Sequence, residues 1–287
     1  MKKKILSVIL AASMAAVMAG CGSSSSTSSS SASSAASESA TASVSAESSG
    51  ESDIEYIKEK GTLTVGITDF APMDYQEDGS DEWIGFDADL AKKVAEDLGV
   101  DVEFVEIDWD NKILELDNKS VDVIWNGMTL TDEVTSSMSC TNPYLRNAQV
   151  VVLPSDEADQ YTDVESLKDL NIAVESGSAG EQAAKDNDLN YTAMTSQADA
   201  LMEVSAGTSD GAIIDLLMAG AMVGEGTSYE NLTTTSIELS EEEYGIGCRK
   251  GSDLTDYIND EMSKFYEDGT IQEIAETYGV QDALIEQ

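Results

Sequence analysis

From residue 63 onward, short apolar runs alternate with segments whose apolar residues recur at helical spacing, and the alternation occurs twice. Leu63 to Ile67 is an apolar, β-branched run after Gly61, and Phe86 to Leu98 carries Leu90, Val94 and Leu98 on one helical face before Gly99. Strand followed by helix is the reading. Val100 to Ile107 alternates as a strand, Trp109 to Leu116 is helical, Val121 to Trp125 is a strand and Gln149 to Leu153 a longer apolar one. The second series has Ile172 to Val174 as a strand, then Ala179 to Lys185 and Gln197 to Glu203 as helices. Gly211 to Ile214 follows as a buried strand and Leu216 to Val223 as a helix. Tyr244 to Arg249 adds a short strand, and Leu254 to Tyr278 an amphipathic helix punctuated at Gly269. Strands alternating with helices predict parallel sheets covered on both faces, and the repetition predicts two α/β lobes. Of the three prolines, Pro143 and Pro154 bracket the apolar strand that would link the lobes.

The charges narrow the function. The chain of 287 residues has 15 basic and 56 acidic side chains and no histidine, for a formal net charge of −41. Nucleic acid is excluded as a partner, because a phosphate backbone is held by clustered Lys and Arg, and this chain has only Arg146 and Arg249 of the latter. Anionic membrane surfaces are disfavoured for the same reason. Without histidine there is no Ser-His-Asp triad, no HExxH zinc site and no imidazole base. Carboxylate chemistry or binding remains. Hydrophobic residues at 41% and charged ones at 25% are ordinary globular values, so the acidity lies in the sign of the charges and a sizeable core is available. The acid-rich stretches Asp78 to Glu82 and Glu241 to Glu243 lack the spacing of a calcium loop, so no metal site is expected.

The first 52 residues read as an address and a tether. Lys2, Lys3 and Lys4 precede an apolar run from Ile5 to Met18, too short to span a membrane, and small residues follow before Cys21. Residues 1–20 are expected to be a signal peptide, and Met18-Ala19-Gly20-Cys21 resembles the lipobox of bacterial lipoproteins, with Cys21 carrying the lipid. Between Gly22 and Ser52, 17 of 31 residues are serine. That composition cannot bury enough apolar surface to offset its ordering entropy, so 21–52 is expected to be a flexible tether.

Beyond residue 60 a set of short motifs occurs in a fixed order. Gly61-Thr62-Leu63-Thr64-Val65-Gly66 comes first, then Phe70-Ala71-Pro72, Gly85-Phe86-Asp87-Ala88-Asp89-Leu90-Ala91, Asp122 to Thr131 and Asn142-Pro143-Tyr144. Val174-Glu175-Ser176-Gly177-Ser178-Ala179-Gly180-Glu181, Asp210 to Asp215, and Tyr244-Gly245-Ile246-Gly247 with Lys250-Gly251-Ser252 complete it. In this order they resemble the extracytoplasmic solute-binding proteins of amino-acid ABC transporters, family 3. The resemblance implies an α/β, two-lobed type II periplasmic-binding-protein fold with two hinge crossings, near Leu145 to Gln149 and Leu239 to Tyr244. Lobe 1 would comprise 53–147 with 243–287, and lobe 2 148–242. It implies a lipid-anchored monomer at the outer face of the cytoplasmic membrane that captures a small polar amino acid between the lobes and delivers it to an ABC permease with its ATPase. No cofactor and no catalysis are expected. An enzyme on the same fold, of the cyclohexadienyl-dehydratase type, and a sensor lipoprotein presenting its closed form to a signalling partner stay open.

The resemblance also implies a site. Phe70 and Trp109 would sandwich the ligand side chain, the alternative being core aromatics. Asn126, Gly127 and Thr129 follow a buried strand, where backbone and hydroxyl groups meet an amino acid. Ser178 and Ala179 open a helix whose N–H groups suit a carboxylate, Ser178 being equally an N-cap. Asp215 would pair with the α-ammonium, or cap the next helix. Where most relatives place an arginine that grips the α-carboxylate, this chain has Val134 after Thr131-Asp132-Glu133. Together with Asp69 and Glu175, that loss points to a cationic ligand, a basic amino acid first; Arg146 could swing in from the hinge instead. Cys140 and Cys248, each beside an expected crossing, could form a disulfide in an extracytoplasmic compartment or be two small buried hydrophobes.

Overall fold

A computed structural model describes residues 52–287. The expected signal peptide, Cys21 and all of the tether but Ser52 lie outside the described residues. Ser52 itself starts the folded body: its Oγ accepts from the Glu55 N–H at 3.1 Å and so caps α1 (Asp53–Lys60). Asp53 and Glu55 in the first turn and Lys58 and Lys60 in the last complement the helix dipole. This helix was not expected, although Ser52-x-x-Glu55 is a capping signature.

The first lobe is built from β1 (Thr62–Ile67), a small hairpin of β2 (Tyr75–Gln76) and β3 (Trp83–Ile84), α2 (Phe86–Leu98), β4 (Asp101–Glu106), α3 (Lys112–Asp117), β5 (Val123–Thr129), α4 (Asp132–Ser137) and β6 (Ser139–Cys140). The chain then passes along β7 (Leu145–Pro154) into β8 (Asn171–Glu175), α5 (Ala179–Asp186), β9 (Asn190–Met194), α6 (Gln197–Ala206), β10 (Gly211–Asp215) and α7 (Leu216–Met222). It returns along β11 (Leu232–Cys248) to α8 (Leu254–Glu267) and α9 (Thr270–Tyr278), which pack on the first lobe.

One sheet runs through both lobes in the order β4-β1-β5-β11-β7-β10-β8-β9, with β6 on β11. Within each lobe the pairing is parallel, β4-β1-β5 and β10-β8-β9, as expected from the alternation. The pairings β5-β11, β11-β7 and β7-β10 are antiparallel. The expectation of wholly parallel sheets is corrected here for a simple reason. A chain that leaves one lobe and comes back crosses in opposite directions, and its two crossing strands therefore lie antiparallel. The short strand expected from Tyr244 is the end of the 17-residue β11.

The core follows the sequence periodicity. Phe86, Leu90, Val94 and Leu98 of α2 are buried against the sheet together with Leu63, Val65 and Ile67 of β1. Burying each such side chain contributes about 1.5–3 kcal/mol. In the second lobe Val151, Leu153, Ile172, Val174 and Ile213 form the matching core on one face. Of the two alternatives left open for the cysteines, the structure has the unbonded one: Cys140 and Cys248 are free. Register explains it. Cys140 stands opposite Gly247 and Cys248 opposite Ser139, so the two side chains point to opposite faces of the sheet. Cys248 is buried in the α2-side core, while Cys140 packs with Met138 and Ile124 on the other face.

Candidate functional site

A cavity of about 540 Å³ lies between the lobes at the carboxyl ends of their parallel strands, where open α/β sheets place ligand sites. The first lobe contributes Thr68 and Phe70 after β1, Trp109 and Lys112 after β4, Asn126 to Thr129 at the end of β5, and Thr131 to Val134 at the start of α4. The second contributes Glu175 at the end of β8, Gly177 to Ala179 before and into α5, Gln197 at the start of α6, and Asp215 at the end of β10.

Nine of the eleven residues singled out from the sequence line this cavity: Phe70, Trp109, Asn126, Gly127, Thr129, Glu175, Ser178, Ala179 and Asp215. Asp69 and Arg146 do not. Thr68 and Phe70 face inward, so Asp69 between them faces out, into a neighbouring recess with Glu106, Asp199 and Tyr229. Arg146 is exposed on β7 between the inward Leu145 and Asn147, in a groove with Glu238, Glu241 and Glu243. It cannot replace a guanidinium inside the cavity without turning the strand over. Val134 is buried and lines the cavity, so that wall is apolar.

Gly127 shows why the β5 end needs glycine. Its φ is +55°, and a Cβ there would sit 2.6 Å from a ring carbon of Phe70 and 3.0 Å from one of Tyr244. Its N–H donates to Asp87 Oδ2 at 2.6 Å, which also accepts from the Tyr144 hydroxyl at 2.8 Å. That N–H therefore faces away from a ligand, contrary to expectation. Phe70 meets Tyr244 edge to face with ring centroids 6.4 Å apart. Beside it, Asn126 accepts from the Thr68 N–H through Oδ1, which turns its Nδ2 to a buried position with no protein acceptor.

Two carboxyls dominate the far wall. Asp215 is buried, and Oδ1 accepts from the Tyr244 hydroxyl at 2.7 Å, from Gln149 Nε2 at 3.0 Å and from Asn147 Nδ2. Gln197 grips it from the other side, donating Nε2 to Oδ2 and accepting the Asp215 N–H at 2.9 Å. Burial, and after it the charge of Glu242, pushes this carboxyl up to about 7, against the pull of its hydrogen bonds. The side chain caps nothing at the start of α7. Glu175 is also buried, and its Oε1 has no hydrogen-bond partner. Burial and the charge of Asp215 push it up to about 8. Two like charges out of water and without a cation are costly, and a bound ammonium or guanidinium would relieve them.

Ser178 caps α5, its Oγ accepting from Glu181 N–H at 3.0 Å. Glu181 reaches back to Gly177 N–H at 2.9 Å and pairs with Lys185 at 3.0 Å. Sequence reasoning did not single out Lys112, Gln197, Asn147, Gln149 or Thr68. A signal existed for two of them: Asn147 and Gln149 are amides spaced by two in a strand that is apolar apart from them and Arg146, hence on one face.

The chain is similar to known amino-acid-binding proteins. The L-cystine-binding protein TcyJ of Escherichia coli K12 is 29% identical over 227 residues, 77% of this chain and 84% of its own length. The arginine-binding extracellular protein ArtP of Bacillus subtilis 168 is 27% identical over 223 residues, 75% of this chain and 85% of that protein. Among solved structures, an ancestral amino-acid-binding protein, AncCDT-1, described as a precursor of cyclohexadienyl dehydratase, superposes with a TM-score of 0.72 at 30% identity. It covers 79% of this chain and 99% of the other. The sequence model of the bacterial extracellular solute-binding proteins, family 3, matches residues 63–281, and the chain belongs to that family, with its two-lobed fold.

Proposed function

We propose that this protein is the lipid-anchored binding component of an ABC importer for a cationic amino acid. In this reading Cys21 carries the lipid, and 53–147 with 243–287 and 148–242 move as the two lobes. A permease with its ATPase receives the ligand from the monomeric closed form. Closure is a population shift, since only the closed form contacts the ligand from both lobes.

The observation that carries the choice of ligand is the pair Glu175 and Asp215, both buried at the cavity, neither in a salt bridge among the described residues, and with Glu175 Oε1 unpartnered. ArtP, whose name states arginine binding, supports the same class, whereas TcyJ is named for cystine. A thermal-shift panel of the twenty amino acids and ornithine tests it: arginine, lysine or ornithine should raise the melting temperature most. A rise with glutamate or aspartate and none with these would sink the proposal.

A second reading, an enzyme of the cyclohexadienyl-dehydratase type, is favoured by one observation, the similarity to the ancestral dehydratase precursor. Raised carboxyls such as Glu175 could move protons. Incubation with candidate substrates and mass analysis separates the two, because turnover would displace the binding reading.

A further inference from the structure

Every amino acid brings a carboxylate into a cavity whose walls are rich in them. Asp110, Asp132, Glu133, Glu175, Glu181 and Asp215 line it, against two ammonium groups, Lys112 and Lys185. Lys185 is already committed: it pairs with Glu181 at 3.0 Å, its side chain is 46% exposed, and it leans over the Tyr191 ring. Lys112 differs on the first two counts. It is 8% exposed, and its Nζ donates to two backbone carbonyls, Trp109 O at 3.2 Å and Gly177 O at 2.9 Å. Neither acceptor carries a charge. An ammonium has three N–H donors, so one remains, and the positive charge is not neutralised by a direct ion pair.

The position suits an anion from a second direction. Gly177 immediately precedes Ser178, the N-cap of α5, so the Lys112 ammonium stands beside the first turn of that helix. The N–H groups of Ala179 and Gly180 there have no acceptor within the helix. Asn126 Nδ2, buried in the cavity wall and without a protein acceptor, adds a further donor to the same space. The indole of Trp109, 5.0 Å from Nζ, holds the lysine stem in place.

We infer that Lys112 is the residue that binds the ligand's α-carboxylate, a role the sequence leaves without an arginine at Val134. The inference rests on reading the cavity as an amino-acid site. Burial lowers the ammonium pKa, while Glu133, Glu175, Asp110 and Glu181 oppose that shift with their charges. An incoming carboxylate supplies what the two carbonyls do not, a full counter-charge. The same contacts also make Lys112 a strap between the lobes, since Trp109 lies on one and Gly177 on the other. The test must separate these roles.

Binding of L-arginine and of L-argininamide, and in parallel of L-glutamine and L-glutaminamide, would be measured by calorimetry on the full-length protein and on Lys112→Met and Lys112→Arg. A charge-assisted hydrogen bond corresponds to roughly 10- to 100-fold in affinity. Wild type should prefer the acid over its amide by about that factor. Lys112→Met should lose the preference, weakening the acid by the same factor while changing the amide by less than about threefold. Lys112→Arg should restore most of it. Equal weakening of acid and amide would mean that Lys112 is only an interlobe strap, and a wild type that distinguishes neither pair would also overturn the inference. If L-glutamine binds and L-arginine does not, the cationic reading falls, and the glutamine pair decides the role of Lys112 by itself.

Discussion

Asp215 and Glu242 share one amide: Gln149 Nε2 stands 3.0 Å from Oδ1 of the first and 3.0 Å from Oε2 of the second. Asn147 Nδ2 donates to both as well, 3.1 Å to Glu242, and Thr129 Oγ1 donates to Glu242 at 2.9 Å. The network joins β5 in one lobe, the crossing strands β7 and β11, and β10 in the other. Glu242 does not line the cavity, yet its charge helps to raise Asp215. Gln at 242 keeps an oxygen acceptor and removes the charge. Glu242→Gln is therefore expected to move the midpoint of the pH profile for arginine binding downward. An unchanged midpoint in dissociation constants measured from pH 5.5 to 8.5 would refute the coupling.

The pH dependence of binding has a defined sign. Glu175 is pushed up to about 8, by burial and then the charge of Asp215, and Asp215 to about 7, by burial and then the charge of Glu242. A cation binds their ionised forms, so affinity for arginine should rise with pH through 7 to 8 and level off above. Both folded values exceed the unfolded ones near 4, so these groups favour the folded state at low pH, and that contribution is lost progressively as pH rises from about 4 through 7 to 8. The free protein should lose stability over that window while the ligand-induced rise in melting temperature grows. Equal rises at pH 6 and 8.5 would contradict it. Glu175→Gln should flatten the upper part of the profile.

Closure has its own test at Gly177. Its φ is +71°, and a Cβ would lie 2.6 Å from Asp110 Cα, which belongs to the other lobe. Backbone cannot yield as a flexible side chain would. Gly177→Ala should weaken ligand binding at least tenfold by obstructing lobe contact. The left-handed backbone adds a stability cost of about 1 kcal/mol. Scattering profiles with and without ligand check this: a variant that compacts like wild type shows that the contact is not limiting.

Arg249 anchors the start of the folded body. Its guanidinium donates to Asp53 at 2.9–3.1 Å, to Asp122 at 3.4 Å and to Val121 O at 2.9 Å, and Lys60 joins Asp122 at 2.5 Å. Removing one partner of such a buried cluster leaves charge uncompensated and costs about 3–5 kcal/mol. Arg249→Met should lower the urea midpoint accordingly and expose α1 to proteolysis first. A midpoint within error of wild type would show that the cluster is not stabilising.

The two-lobed plan was legible because β1, α2, β5 and β10 bury continuous or periodic apolar faces that the residues themselves announce. β11 was not, because residues 233–243 are mostly Thr, Ser and Glu, with Ile237 the buried apolar residue among them. That strand exists through its pairing with β7, information held in a partner and not in its own pattern. Cavity residues at strand ends were implied by the family resemblance, which their position after apolar runs supported. Asp69 and Arg146 failed because nearness in sequence ignores the side to which an extended backbone turns each residue. Lys112 was passed over because a single lysine inside a helical turn looks like solvated surface until the opposite lobe covers it.

The docking of α1 has a mechanical consequence. Ser52 Oγ donates to Asp253 at 2.5 Å, and the Asp53 N–H donates to the same carboxylate at 2.9 Å. Any tension arriving along the chain at Ser52 is thus transmitted first into the lobe that holds α1, α8 and α9. In the closure proposed above, that lobe would be the stator and the other the moving jaw. Tugging at the amino-terminal side would then load the frame before it reached the jaw.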